Sequence, residues 1–299
     1  MSNPFFSRKG LLIGTLAAFL ILRRCYFRYW DPNLIITFFD VGQGDSALIQ
    51  FPYGKTMLID GGGGWETFSL GERVLIPELS RLGILRLDHV VLSHPDNDHA
   101  FGLLAILKKL EVGELWLSRD LINYKKPKLL TKIEEVSQIR NVTINRLMSP
   151  YQLRINGVRA RLIPLSTAKR SRNNQALIVD IEFGKCKALF TGDIERESEW
   201  DLGHNFPAKV HLLKVPHHGS LTSSTPLFLK SFSPKWAVVS VGLKNQYGHP
   251  RSEVLSRYRS FGTQLFRTDF HGAVRFKITP QGNVRCETYL GDCGVSQCE

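Results

Sequence analysis

The chain has 299 residues, 43% hydrophobic and 22% charged, with a formal net charge of +12 and a pI near 9.6. This balance suits one or two globular domains with a large core, and excludes a disordered, low-complexity or short-repeat chain. The excess of Lys and Arg favours polyanionic partners, nucleic acid or anionic lipid, over small cations.

Residues 1–31 read as a basic, apolar segment that anchors the chain in a membrane. Arg8 and Lys9 precede an apolar run from Gly10 to Leu22, closed by Arg23 and Arg24. The run is short of the roughly 17–25 residues of a bilayer span, so a tilted anchor with snorkelling arginines is expected. No small-residue cleavage site follows it. This reading puts the body, residues 32–290, on the periplasmic or extracytoplasmic side, and leaves residues 291–299 as a short cysteine-containing tail. Cys25 and Cys186 stand alone. Cys286, Cys293 and Cys298 lie close enough in sequence for a disulfide among themselves in an oxidising compartment.

From Pro32 the pattern changes to short β runs, Leu34–Phe39, Ala47–Phe51 and Thr56–Ile59, with glycine corners at Gly42/Gly44 and Gly61–Gly64. Helical spacing spans Gly71–Leu82. A buried strand, His89–Leu92, leads into the loop Ser93–His99 and a helix over Phe101–Leu110. Further strands are predicted at Glu114–Leu117, Val142–Leu147, Val158–Pro164, Ala176–Phe183, Lys187–Thr191, Val210–Val215, Trp236–Val241, Gln264–Arg267 and Ala273–Ile278. Helices are predicted at Leu129–Ile139, around Glu195–Leu202, near Pro226–Ser231 and at Ser252–Phe261. Strands in both halves with helices between them imply an α/β protein, two sheets face to face with helices outside: an αββα sandwich.

Candidate ligands fall just after predicted strands: Asp60, His94, Asp193, the pair His217-His218, and His249 further on. In His94-Pro-Asp96-Asn-Asp98-His99 four coordinating side chains fall within six residues. A tight loop of this kind can aim His94 and Asp96 at one ion and Asp98 and His99 at a second. Asp193 is suited to bridge them about 3.5–4 Å apart. Two such ions suit hydrolysis of a phosphoryl group. The stretch Arg154–Arg172 carries Arg154, Arg159, Arg161, Lys169, Arg170 and Arg172 with no acidic residue, as a loop at the mouth of a phosphodiester site would. Gly219-Ser220-Leu221-Thr222 offers hydroxyl and N–H groups to an anion, or simply caps the next helix. The glycines 61–64 let backbone pass close to a metal site.

The loop resembles the His-x-His-x-Asp-His signature of metallo-β-lactamase-fold hydrolases, with Asp96 in place of the second histidine. Phe39-Asp40-Val41-Gly42-Gln43-Gly44-Asp45-Ser46, Leu58-Ile59-Asp60-Gly61-Gly62, Leu189-Phe190-Thr191-Gly192-Asp193, Lys214-Val215-Pro216-His217-His218-Gly219-Ser220 and Tyr247-Gly248-His249-Pro250 are similar to motifs of the C-terminal hydrolase domain of ComEC-type DNA-uptake proteins. Asn173 stands where the wider fold has a third histidine. The resemblance implies metal ligands at His94, Asp96, Asp98, His99, Asp193 and His218, with Asp60 orienting a ligand histidine. It implies catalytic work by Asp98, Asp193, His217 and His249, and substrate contacts at Asn173, Ser220, Lys169, Arg170 and Arg172. A carboxylate for imidazole makes Mn2+ a rival to Zn2+ for the two sites. The expected activity is a phosphodiesterase or nuclease acting on DNA, linked to uptake. Because only residues 1–31 precede the body, such a role would need a separate membrane channel protein. Two alternatives stand beside it: a phosphoesterase on lipid or cell-wall phosphodiesters, and a non-catalytic DNA-binding accessory module.

Overall fold

The computed structural model describes residues 29–119, 127–165, 171 and 173–298, with Gly10 and residues 13–15 besides. Most of the expected anchor, and Lys169, Arg170 and Arg172, lie outside the described residues. Among the described residues no helix is long and apolar enough to cross a membrane.

The first half lays down β1 (Leu34–Phe38), β2 (Ala47–Gln50) and β3 (Thr56–Ile59), then a small hairpin of β4 (Gly64–Trp65) and β5 (Phe68–Ser69). A π-helical turn, Gly71–Leu75, runs into α1 (Ile76–Arg81), and β6 (Arg86–Val91) follows. Next come α2 (Asn97–Ala100), α3 (Leu103–Lys109), β7 (Glu111–Ser118), α4 (Lys128–Ile139) and β8 (Thr143–Leu147). The second half holds β9 (Tyr151–Ile155), β10 (Val158–Pro164), β11 (Leu177–Phe183), β12 (Cys186–Phe190), α5 (Arg196–Asn205), β13 (Leu212–Lys214), α6 (Pro226–Phe232) and β14 (Trp236–Val239). It continues with α7 (Ser252–Ser260), β15 (Gln264–Arg267), α8 (Thr268–His271), β16 (Val274–Ile278), β17 (Asn283–Thr288) and β18 (Gly291–Gln297).

Among the described residues one sheet has the order β18-β17-β16-β1-β2-β3-β6-β7-β8, and the other β15-β14-β13-β12-β11-β10-β9. The alternation of side chains along each strand builds the layers. Leu34, Ile36 and Phe38 of β1 and Ile49 of β2 meet Val179 and Ile181 of β11 and Phe190 of β12 between the sheets. The opposite faces pack outward: Leu48 and Leu58 against Leu79, Ile106 and Ile133, and Ile178 and Leu213 against Leu202, Phe228 and Tyr258. A strand buried on both faces reads as a continuous apolar run, and β1 is buried throughout. The result is the expected αββα sandwich.

Three local expectations change. The expected helix is present as Leu103–Lys109, but a separate short helix, Asn97–Ala100, precedes it, so Asp98 and His99 lie on a helical turn rather than in the loop. Strand β9 is an edge strand with exposed Arg154 and Gln152, which hid its pattern. Residues 291–297, set apart by sequence as a tail, form the edge strand β18, paired antiparallel with β17. Its glycines and polar residues carry no hydrophobic alternation.

The basic stretch is corrected as well. Arg159 and Arg161 lie on the expected strand Val158–Pro164, and Arg154 on the unexpected β9, while Arg159 pairs with Glu182 and Arg161 with Asp180 of neighbouring β11. Acidic partners far away in sequence neutralise these two arginines.

Two disulfides fasten the C-terminal strands. Cys286–Cys293 crosses the β17–β18 hairpin, and Cys186–Cys298 ties the end of the larger sheet to β12 of the other across a separation of 112 residues. Cys186, isolated by sequence, therefore closes the longer loop. Constraining so long a loop in the unfolded chain stabilises by about 2–4 kcal/mol. Cys298→Ser is expected to lower the unfolding free energy by that amount, and reduction of the parent, which opens both disulfides, by at least as much. Equal midpoints for variant and parent in oxidising buffer would remove this cross-sheet tie from the account.

Candidate metal centre

The site assembles where parallel strands end together. β3 and β6 run parallel, as do β12, β13 and β14. Their C-terminal ends deliver Asp60, Ser93-His94, Asp193, His217-His218 and Ser240 to one edge of the sandwich. Two glycines permit the loops to close. A Cβ on Gly44 would lie 2.2 Å from the Asp98 carbonyl oxygen, and one on Gly102 would lie 1.9 Å from that of Gly61. The 61–64 run passes against the site as expected: Gly61 N–H donates to His99 O (2.7 Å) and Gly62 N–H to Asp45 O (2.8 Å).

The hydrogen bonds behind the imidazoles set their tautomers. His99 Nδ1 donates to Asp60 Oδ2 (2.8 Å) and His218 Nδ1 to the Ser240 carbonyl (2.8 Å). Ser93 Oγ donates to Asp60 Oδ2 (2.7 Å), and so accepts from His94 Nδ1 (3.0 Å). Asp60 Oδ1 takes the Ser93 N–H (2.8 Å). With every Nδ1 engaged outward, the three Nε2 atoms face inward, buried and without a hydrogen-bond partner. Three orphaned ring nitrogens beside carboxylates are the donor set a divalent cation requires.

Asp193 Oδ2 lies 3.3 Å from both His99 Nε2 and His218 Nε2, and Asp98 Oδ2 is 3.3 Å from His218 Nε2. Ligand atoms of Asp98, His99, Asp193 and His218 all lie within 4.8 Å of one another. The pair expected at a second ion is sparser. Asp96 Oδ2 is 3.9 Å from His94 Nε2, and the His94 ring packs 4.1 Å from that of His99. Among the described residues the other group of clustered ligand atoms is Asp45, Asp60 and His99, and neither group includes His94 or Asp96.

Burial disfavours charge on His218, yet the carboxylates of Asp193 and Asp45 outweigh it and lift its pKa to about 10. His99 rises for the same reason, with Asp60 adding to the pull. Asp193 stays well below the usual carboxylate range, because His218, His99 and Lys214 overcome its desolvation. His94 moves the other way: burial, then the charge of His99, lower its pKa. The same carboxylates that raise the pKa of His218 and His99 would hold a divalent cation in their place.

Two site residues escaped the sequence reading. Lys214, 3% exposed, ion-pairs with Asp45 and reaches Asp193 Oδ1 (3.3 Å) and the Gly192 carbonyl (3.0 Å). Burial opposes its charge, but Asp45 and Asp193 raise its pKa, so it remains an ammonium. Asp45, 5% exposed, also stands 3.5 Å from His218 Nδ1 and 3.6 Å from His99 Nδ1. Lys214 thereby occupies one oxygen of Asp193 and leaves the other facing the imidazoles. The available signal was a lone charge in the apolar strand Leu212-Leu213-Lys214-Val215.

The remaining candidates sit at the rim. His217, at φ 49°, is half-buried, with Nδ1 3.1 Å from Thr222 Oγ1 and 3.7 Å from Glu195 Oε1. Its ring lies 6.0 Å from that of His249. Burial and the nearby charges of His217, His218 and Arg251 lower the His249 pKa to about 4, so this ring is neutral at pH 7. Ser220 shares its hydroxyl with Thr222 (3.1 Å), the partner of His217, and so braces that ring. Asn173 is half-buried in a short helical turn. Its neighbour Asn174 does the structural work, accepting from Glu195 N (2.8 Å) and donating to Glu197 Oε2 (3.1 Å).

The chain belongs to the metallo-β-lactamase superfamily, whose family model matches residues 39–242, and its buried His/Asp cluster is one that could hold a metal ion. It is 32% identical over 282 residues to ComE operon protein 3 of Bacillus subtilis (strain 168), covering 90% of this chain and 35% of that protein. It is 29% identical over 260 residues to competence protein ComA of Neisseria gonorrhoeae, covering 86% and 34%. The chain thus spans about a third of the length of these relatives. The solved structure of Tm1679, a metal-dependent hydrolase of the β-lactamase superfamily, shares the fold at a TM-score of 0.51 and 15% identity, covering 78% of this chain and 95% of that one.

Because the carboxylates raise the pKa of His218 to about 10 and that of His99 as well, ion binding is expected to displace protons. Calorimetry in buffers of different ionisation enthalpy is expected to show proton release, with apparent affinity rising from pH 6 to 9; pH-independent affinity would contradict this. Lys214→Met is expected to weaken Mn2+ binding about 10- to 100-fold, the usual cost of losing an outer partner. An unchanged isotherm would mean that Asp193 needs no such hold.

Proposed function

We propose that the protein is a metal-dependent phosphodiesterase that cleaves DNA, held at a membrane and working outside the cytoplasm. The observation that carries the chemistry is the convergence of His99 and His218 Nε2 on Asp193 Oδ2, with Asp98 beside them. His99, His218, Asp98 and Asp193 would hold one divalent ion, and His94, Asp96 and Asp193 the second. Bound there, such ions supply Lewis acidity to a phosphoryl group and lower the pKa of water. A carboxylate-rich donor set favours Mn2+ alongside Zn2+.

The residues of the chain supply the rest. Thr222 and Glu195 hold His217 at the rim, where it can donate to a phosphate oxygen. Neutral His249 beside it can take a proton or hydrogen-bond to the substrate. The DNA substrate and the uptake role are supported by likeness to competence proteins and by the basic chain. Placement outside the cytoplasm is supported by the two disulfides, and anchoring by the apolar run of residues 10–22.

Purified protein is expected to cleave single-stranded or duplex DNA, to stop on chelation and to recover with Mn2+ or Zn2+. Asp98→Ala should lower kcat by about two to three orders of magnitude. Full activity in that variant would overturn the catalytic reading. Faster turnover of a phosphocholine diester than of DNA would move the substrate to lipid or cell-wall diesters.

A further inference from the structure

Beside the metal centre stands a structure that the chemistry above does not use. The hairpin of β4 and β5 leaves the sandwich right after the glycine run and carries Trp65 and Phe68, directly paired across its strands. Their rings stack at 4.4 Å between centroids with 14° between planes, and Arg73 lies over the Phe68 ring at 4.7 Å. Phe68 is half-buried, whereas Trp65 is 61% exposed and Arg73 is exposed. A large stacked aromatic pair normally hides in a core. Here one ring supports the other and leaves the indole face open.

The hairpin is fixed to the metal loop. Asn97 Nδ2 donates to the Gly64 carbonyl (2.8 Å), and a Cβ on Gly63 would lie 3.3 Å from Asp98 Cα. Only Gly64 separates Gly63 from Trp65, so two Cα–Cα steps keep the Trp65 Cα within roughly 12 Å of Asp98. A single strand crosses that distance in a few nucleotides.

We infer that Trp65, backed by Phe68 and flanked by Arg73, is a stacking platform for an unpaired nucleobase of the strand whose phosphodiester lies at the metal centre. This rests on the DNA reading above and deepens it: a base inside a duplex has no free face, so the platform selects single-stranded substrate. The guanidinium fits a phosphate and disfavours a cationic headgroup such as choline, while the net charge of +12 draws in a polyanion.

The test is binding of the full, Mn2+-loaded chain to a short fluorescent phosphorothioate oligonucleotide, followed by anisotropy. Trp65→Ala is expected to weaken binding roughly 5- to 150-fold, the range for losing one stacked base. Trp65→Tyr should keep most of the affinity. Trp200→Ala, which removes an exposed indole stacked on His204 of α5, should keep all of it. On a strand with abasic residues, parent and Trp65→Ala should bind alike; melting temperatures confirm that each variant is folded. Equal binding of parent and Trp65→Ala on the normal strand overturns the platform while leaving the DNA reading intact, and so does an equal loss on the abasic strand. If the parent binds no oligonucleotide, the DNA reading fails first. Trp65-dependent binding to phosphatidylcholine vesicles in its place would overturn the platform and give the hairpin to a lipid surface.

Discussion

The buried Asp60 carboxylate, at the end of β3, is the contact on which the site depends. One oxygen takes the Ser93 N–H; the other takes the Ser93 hydroxyl and His99 Nδ1. Through Ser93 the same oxygen sets His94 as well. A single side chain therefore joins β3 to the loop after β6 and fixes two imidazoles with their Nε2 atoms inward. Asp60 itself sits at φ 58°, a costly conformation for a residue with a Cβ, kept in place by its buried bonds.

A second layer does the same for the other sheet. Ser240, after β14, orients His218, and Lys214, at the end of β13, holds Asp193. The two halves of the site come from different sheets, so packing between the sheets sets the spacing of the donors. A close-packed interior transmits small shifts, and a substitution at Phe38 or Phe190, stacked in the inter-sheet core, would reach the metal centre through that spacing. The Cys186–Cys298 tie fastens the outer end of the same sandwich.

Much of this was legible in the sequence, for identifiable reasons. Strands such as Leu34–Phe38 and Leu177–Phe183 declare themselves because both faces are buried. The six-residue His/Asp loop was legible because its side chains act within one turn of chain. The family motif puts Asp60 behind a histidine of the loop, and Asp60 Oδ2 accepts from His99 Nδ1. What stayed hidden depends on distant pairing. Lys214 finds its meaning only beside Asp45, far earlier in the chain, and Arg159 and Arg161 meet their acids across a sheet. Strand β18 is defined by its partner β17 and not by its own composition. The link from Ser220 through Thr222 to His217 likewise depends on the folded loop.

The central claim is that three inward imidazole nitrogens and the Asp193 carboxylate form a centre for two divalent ions. Anomalous diffraction at the manganese edge, from crystals grown in Mn2+, tests it most directly. The account predicts a strong peak bounded by Asp98, His99, Asp193 and His218, and a weaker one toward His94 and Asp96, about 3.5–4 Å away. Crystals with no peak at Asp193, or with manganese only at surface carboxylates, would contradict it.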